Sequence, residues 1–158
     1  MFQFKAEQFL PIDLNKAWQF FSSPNNLSII TPPEMSFKVL SEINDMEIYN
    51  GMKIDYSVKP IFGIPMHWQT EIYNVKKKQT FSDRQLKGPY KVWEHTHSFT
   101  EMKGGVMMDD VVNYQLPFWI LGNIAHTLIV KNKIKNIFVY RKQVLEKIFE
   151  INNGKNFN

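Results

Sequence analysis

Five successive stretches between residues 52 and 116 alternate apolar with polar residues, a period of two that forces strands with one greasy face. Met52, Ile54, Tyr56 and Val58 alternate with Lys53, Asp55, Ser57 and Lys59, and Met66, Trp68, Thr70 and Ile72 with His67, Gln69, Glu71 and Tyr73. Three further sets follow: Phe81, Asp83 and Gln85; Trp93, His95, His97 and Phe99; and Met108, Asp110, Val112, Tyr114 and Leu116. Turn-forming residues separate the sets: Asn50-Gly51 before the first, Pro60 to Pro65 with Gly63, Lys76-Lys77-Lys78, Lys87-Gly88-Pro89 and Gly104-Gly105. Strands joined by connections this short run antiparallel.

Before this run, Phe2, Phe4, Ala6 and Leu10 read as a first strand ended by Pro11. Asp13 is placed to cap a helix with Leu14, Ala17, Trp18 and Phe21 on one face. Ser23-Pro24 starts a second short helix, with Ser23 as cap, which stops before Thr31-Pro32-Pro33; Phe37 and Val39 then alternate with Ser36 and Lys38 as a further strand. After Pro117 the pattern predicts a long helix over roughly 120–149, with a bend at Lys131-Asn132-Lys133. The order places the chain in the α+β class, with a curved antiparallel sheet of about seven strands gripping the C-terminal helix. Residues 1–150 form one domain on this reading, and the polar stretch 151–158 is a frayed tail.

At 158 residues one sizeable core is expected. Aromatic residues make up 15%, and there are 8 Met, which suits a thick core or an apolar cavity equally. With no cysteine, disulfides, thiolate chemistry and Cys-based metal centres are excluded. The net charge of +4 permits anionic partners, yet the longest basic run sits in a turn and no nucleic-acid motif accompanies it, so no nucleic acid is expected. Leu116 to Val130 is the most apolar window, shorter than the roughly 18–20 residues a spanning helix needs. It reads as a buried helix start, with peripheral membrane contact as the minor alternative. The N-terminal residues lack the pattern of a signal peptide, so the expected location is the cytoplasm.

Trp93-x-His95-x-His97-x-Phe99 is the densest of the alternating stretches, because it puts two imidazoles among aromatics on one strand face. A greasy face carrying a few titratable groups is what lines a ligand pocket. Trp68, Asp83, Gln85, Tyr90, Trp93, His95, His97, Asp110 and Tyr114 are the candidate ligand-binding residues. His95 and His97 with Asp83 or Asp110 match a His/His/carboxylate metal set. The preferred reading is a polar network in which these side chains satisfy one another, with no metal and no cofactor. His67 falls on the outward set, His126 has no carboxylate in register, and Arg141 reads as a surface or capping charge.

The sequence resembles the helix-grip (START-like, SRPBCC) superfamily, whose members include the birch pollen allergen, polyketide cyclases and lipid-transfer domains, and within it the cyclase/dehydrase-like subgroup. The resemblance runs from about residue 2 to 149. It rests most on Gly88-Pro-Tyr-Lys-Val-Trp-Glu-His-Thr-His97, with support from Leu27 to Pro33, Gly63 to Trp68, Phe81 to Gln85, Asp110 to Tyr114, Pro117-Phe118, Leu121-Gly122 and Tyr140-Arg141. It implies an internal apolar cavity and no particular reaction, since the fold hosts binders, transporters and enzymes.

Three functions are therefore expected in order. The first is binding of a small hydrophobic ligand (lipid, polyketide or aromatic in type) between sheet and helix, with the polar cluster at the ligand's oxygenated end. The second is a cyclase- or dehydratase-like enzyme using His95 or His97 with Asp110 as acid and base. The third is a lipid- or quinone-handling accessory protein that touches a membrane through residues 60–65 or the start of the last helix.

Overall fold

The structure is a computed structural model and describes residues 1–43, 47–60, 63–117 and 124–153, the side chains of 124–127 and 150–153 excepted. Strand β1 is Phe2–Leu10, helix α1 is Leu14–Phe21, and β2 is Lys38–Val39. Then follow β3 (Lys53–Val58), β4 (Met66–Lys76), β5 (Thr80–Lys87), β6 (Val92–Met102), β7 (Gly105–Gln115) and helix α2 (Ile124–Asn153). The seven strands form one antiparallel curved sheet in the order β1-β7-β6-β5-β4-β3-β2. Every neighbour from β2 to β7 is the next strand in sequence, and β1 closes the row by pairing with β7.

Local chemistry explains most element ends. The Asp13 side chain caps α1, accepting from the Lys16 amide at 3.0 Å, and α1 buries Ala17 and Trp18. Ser23 does not cap the next segment, which is a single 3-10 turn, Pro24–Ser28, opened by its proline. A second 3-10 turn at Pro33–Met35 ends on Ser36 at φ 45°, a left-handed conformation that cannot continue into a strand. The expected strand at 36–39 therefore shrinks to Lys38–Val39. The Lys76–Lys78 run does form a hairpin turn, with the Gln79 amide donating to the Lys76 carbonyl at 2.9 Å. Helix α2 passes through Lys131–Lys133 without a break in its helical assignment. Its expected start near residue 120 and the tail beyond 153 lie outside the described residues, as does the side chain of His126. Among the described residues no helix is long and apolar enough to cross a membrane.

The core falls into two apolar clusters. One gathers Trp18, Ile54, Phe81, Phe99, Met108, Leu145 and Phe149, and the other Val112, Tyr114, Leu116, Val130, Ile134 and Phe138. Of the elements that pass through both, three carry a buried polar residue that interrupts the apolar stripe at the crossing. On β6, His97 and His95 lie between Phe99 and Trp93; on β7, Asp110 lies between Met108 and Val112; on α2, Arg141 lies between Leu145 and Phe138. A polar belt thus crosses the sheet and continues onto the helix.

Candidate functional site

Strand register builds the belt. Asp110 faces His97 directly across β6–β7, and Asp83 faces His95 across β5–β6. Because side chains repeat every two residues, His95 and His97 share the inner face and lie diagonally across the same two partners. The two rings approach to 3.9 Å between centroids. His95 Nε2 and His97 Nδ1 each lie 2.8 Å from Asp110 Oδ1, and the His95 contact is an aligned hydrogen bond. His97 Nδ1, equally close, makes no aligned bond, so its attraction to Asp110 is electrostatic. On the opposite side, Asp83 Oδ2 stands 3.6 Å from His95 Nδ1 and 3.9 Å from His97 Nε2.

Arg141 completes the cluster. Its NH1 nitrogen lies 3.7 Å from Asp110 Oδ1, and its guanidinium sits 4.7 Å from the centre of the Phe138 ring. The side chain is buried, which corrects the expected surface position. Its Nε and NH1 atoms have no hydrogen-bond partner. The register of α2 accounts for this: Val130, Ile134, Phe138, Arg141, Leu145 and Phe149 recur at helical spacing and are the helix's buried stripe.

Burial and charge work against each other here. Burial pushes the Asp110 carboxyl up, but the electrostatic pull of the His97 ring and the hydrogen bond from His95 outweigh it and hold the group well below the ordinary carboxylate range. Burial pushes Asp83 up, against the pull of His95 and Arg141 and the hydrogen bond from the Trp93 indole. Burial lowers the His97 pKa from 6.5 to about 4; His95 and Arg141 add to this and Asp110 opposes it.

The sign of the pH effect follows. Between pH 6.5 and about 4 the unfolded chain protonates His97 while the folded chain does not, so stability falls as pH falls through that window. Asp83, with its raised pKa, acts in the opposite direction, and Asp110 contributes a loss only below 3.8. Lowering the pH from 7 to 5 is expected to cost about 2 kcal/mol through His97. Urea midpoints at the two pH values check this; His97→Gln should lose much less than the wild-type chain, and equal losses would contradict the assignment.

The belt opens onto a cavity of about 150 Å³ between the sheet, α1 and α2. Its walls are mostly apolar, including Phe20, Leu27, Ile30, Ile54, Val58, Ile134 and Ile137. Six of the nine candidate residues line it: Trp68, Asp83, Tyr90, Trp93, His95 and His97. Trp68, Tyr90 and Trp93 form one aromatic wall, with ring centroids 4.8 to 5.7 Å apart. Asp110 is not part of the lining and stands behind the imidazoles. Gln85 and Tyr114 are not part of it either. The Gln85 amide clamps its own turn, donating to the Tyr90 carbonyl at 2.7 Å and accepting from the Tyr90 amide at 3.3 Å. Tyr114 packs in the second apolar cluster beside Phe2, 5.5 Å between ring centres. His67 lies on the outer face and bonds Asp55 at 2.6 Å. Sequence reasoning missed Arg141, although its place three residues after Phe138 and four before Leu145 was the available signal.

No family model matches the sequence, and no curated protein matches it. Solved structures do. A START superfamily protein from Mycobacterium smegmatis superposes with a TM-score of 0.70 at 12% identity, over 94% of this chain and 97% of that one. Protein Ms6760, also from Mycobacterium smegmatis, gives 0.68 at 16% identity, over 95% and 92%. The di-domain ARO/CYC StfQ from the steffimycin biosynthetic pathway gives 0.70 at 11% identity, over 96% of this chain and 52% of that one. At these identities the likeness establishes the fold, which is the helix-grip, START-like one expected from the sequence.

Proposed function

We propose, with the helix-grip fold as premise, that this chain binds a small, largely apolar molecule between its sheet and α2, with an oxygenated end against the polar belt. One observation carries the reading: an apolar cavity of about 150 Å³ ends on buried polar side chains that the protein leaves partly unpaired. Arg141 Nε and NH1 and the Trp68 indole N–H are all without partners, and both residues line the cavity. An unpaired buried donor costs about 1–3 kcal/mol, so an acceptor delivered by a ligand recovers energy that the empty protein forgoes. The volume matches one small ring system, since an apolar cavity of about that size takes benzene in another protein. The structural likeness to an ARO/CYC of a biosynthetic pathway supports an aromatic or polyketide-like occupant.

Native mass spectrometry of the freshly purified chain tests the proposal. The expected result is a non-covalent adduct that is released on denaturation and identified as an apolar molecule bearing oxygen. A bare polypeptide mass, together with no saturable uptake of 1-naphthol from excess, would contradict it.

A further inference from the structure

The polar belt encloses a gap of ionic size, and we propose that it binds a divalent first-row transition-metal ion through His95 Nδ1, His97 Nε2 and Asp83 Oδ2. Mutual hydrogen bonding is the obvious alternative, but the geometry does not deliver it. Of the four side chains Asp83, His95, His97 and Asp110, only His95 and Asp110 share an aligned bond. Asp83 Oδ2 faces the two remaining ring nitrogens at 3.6 and 3.9 Å, too far for hydrogen bonds. One ligand atom from each of the three residues nevertheless falls within 4.8 Å of the other two. Donors held about 2.1 Å from one ion sit roughly 3.0–3.4 Å apart, so a contraction of about half an ångström brings Asp83 Oδ2 to that spacing from both ring nitrogens.

Asp110 strengthens the assignment. Imidazoles that ligate a metal hold their second nitrogen against a carboxylate, which sets tautomer and ring orientation. Here one Asp110 oxygen stands 2.8 Å from the inner nitrogen of each ring, in an aligned bond with His95 Nε2 and in electrostatic contact with His97 Nδ1. Both rings thereby present their other nitrogen toward Asp83. The three ligand residues line the cavity while Asp110 does not, so the remaining coordination positions of the ion are open to whatever the cavity holds.

This site goes beyond the ligand-binding reading and is tested apart from it. The full chain, stripped with a chelator, is titrated with Co²⁺ and followed by visible absorption, then challenged with Zn²⁺. A single saturable equivalent with ligand-field bands that Zn²⁺ abolishes is expected. His67→Asn, which removes the exposed His67–Asp55 pair, should leave binding unchanged. Asp83→Asn should weaken it about tenfold or more; Asp110→Asn, a positioning change, should weaken it about 10–100-fold and alter the band shape. Circular dichroism establishes that each variant is folded, and if Asp110→Asn is not, Asp83→Asn alone decides the outcome. No saturable uptake by the folded wild-type chain, uptake unchanged in Asp83→Asn, or uptake lost in His67→Asn would overturn the proposal. Binding of 1-naphthol by the metal-free protein is measured separately, so either reading can fail alone.

Discussion

Asp110→Ala is expected to destabilise the protein by about 3–5 kcal/mol, a fall in melting temperature of about 10 °C. The cost comes less from the lost hydrogen bond to His95 than from what the change strands. Arg141 is buried, two of its nitrogens are unpartnered, and among the described residues Asp110, at 3.7 Å, is its one carboxylate within 4 Å. Without Asp110, the guanidinium keeps its charge inside an apolar cluster and must be compensated by Asp83 alone. The double variant Asp110→Ala/Arg141→Met should therefore be more stable than Asp110→Ala, because methionine fills the helix stripe without a buried charge. Thermal melts of the two single variants and the double one check this. Additive losses would mean that the pair is not coupled and that the belt does not act as a unit.

Trp18→Ala is expected to cost about 3–5 kcal/mol, the range for removing a large buried aromatic. Trp18 is 2% exposed, and its ring meets the edges of Phe81 and Phe99 at 5.9 Å in T-shaped contacts. Its indole N–H donates to Glu47, so truncation also removes a polar tie to the 40–52 connection. The effect reaches the site through one further contact, because Phe81 stacks on His97 with centroids 4.4 Å apart. Urea unfolding should show a lower midpoint with an unchanged slope, and the His97 ring resonances should shift in the folded variant. Trp18→Phe, which retains a ring against Phe81, should lose less than half as much. Equal losses for the two would put the stabilisation outside the ring contacts.

The sheet was legible because its signal is local. Alternation at residues 52–58, 66–72, 81–85, 93–99 and 106–116 defines the inner face, and the turns between leave only antiparallel neighbours. The same period placed Asp83, His95, His97 and Asp110 together, since register carries side chains on one face into adjacent rows. Arg141 was hidden by its surroundings: Lys131, Lys133, Lys135, Lys142 and Lys147 share its helix and make any basic residue there look solvated. Gln85 and Tyr114 were assigned to the pocket from face alone. Face does not distinguish a residue at the strand end that clamps a turn, or one at the far edge of the core, from one on the cavity. Ser36 and Ser23 depend on backbone conformation that composition does not encode: the first turns left-handed, and the second leaves its hydroxyl unused as a cap.

If the cavity between sheet and α2 binds its ligand against the polar belt, amide and indole ¹H–¹⁵N spectra during a titration with 1-naphthol report it. Saturable shifts of the Trp68 and Trp93 indole signals, both on the cavity wall, are expected, with the Trp18 signal unmoved in its contact with Glu47. Ile137→Trp, which fills the cavity from α2, should weaken the binding by about tenfold or more, whereas Val139→Trp on the exposed side should not. Shifts confined to Trp18, or binding indifferent to Ile137→Trp, would contradict this placement of the ligand.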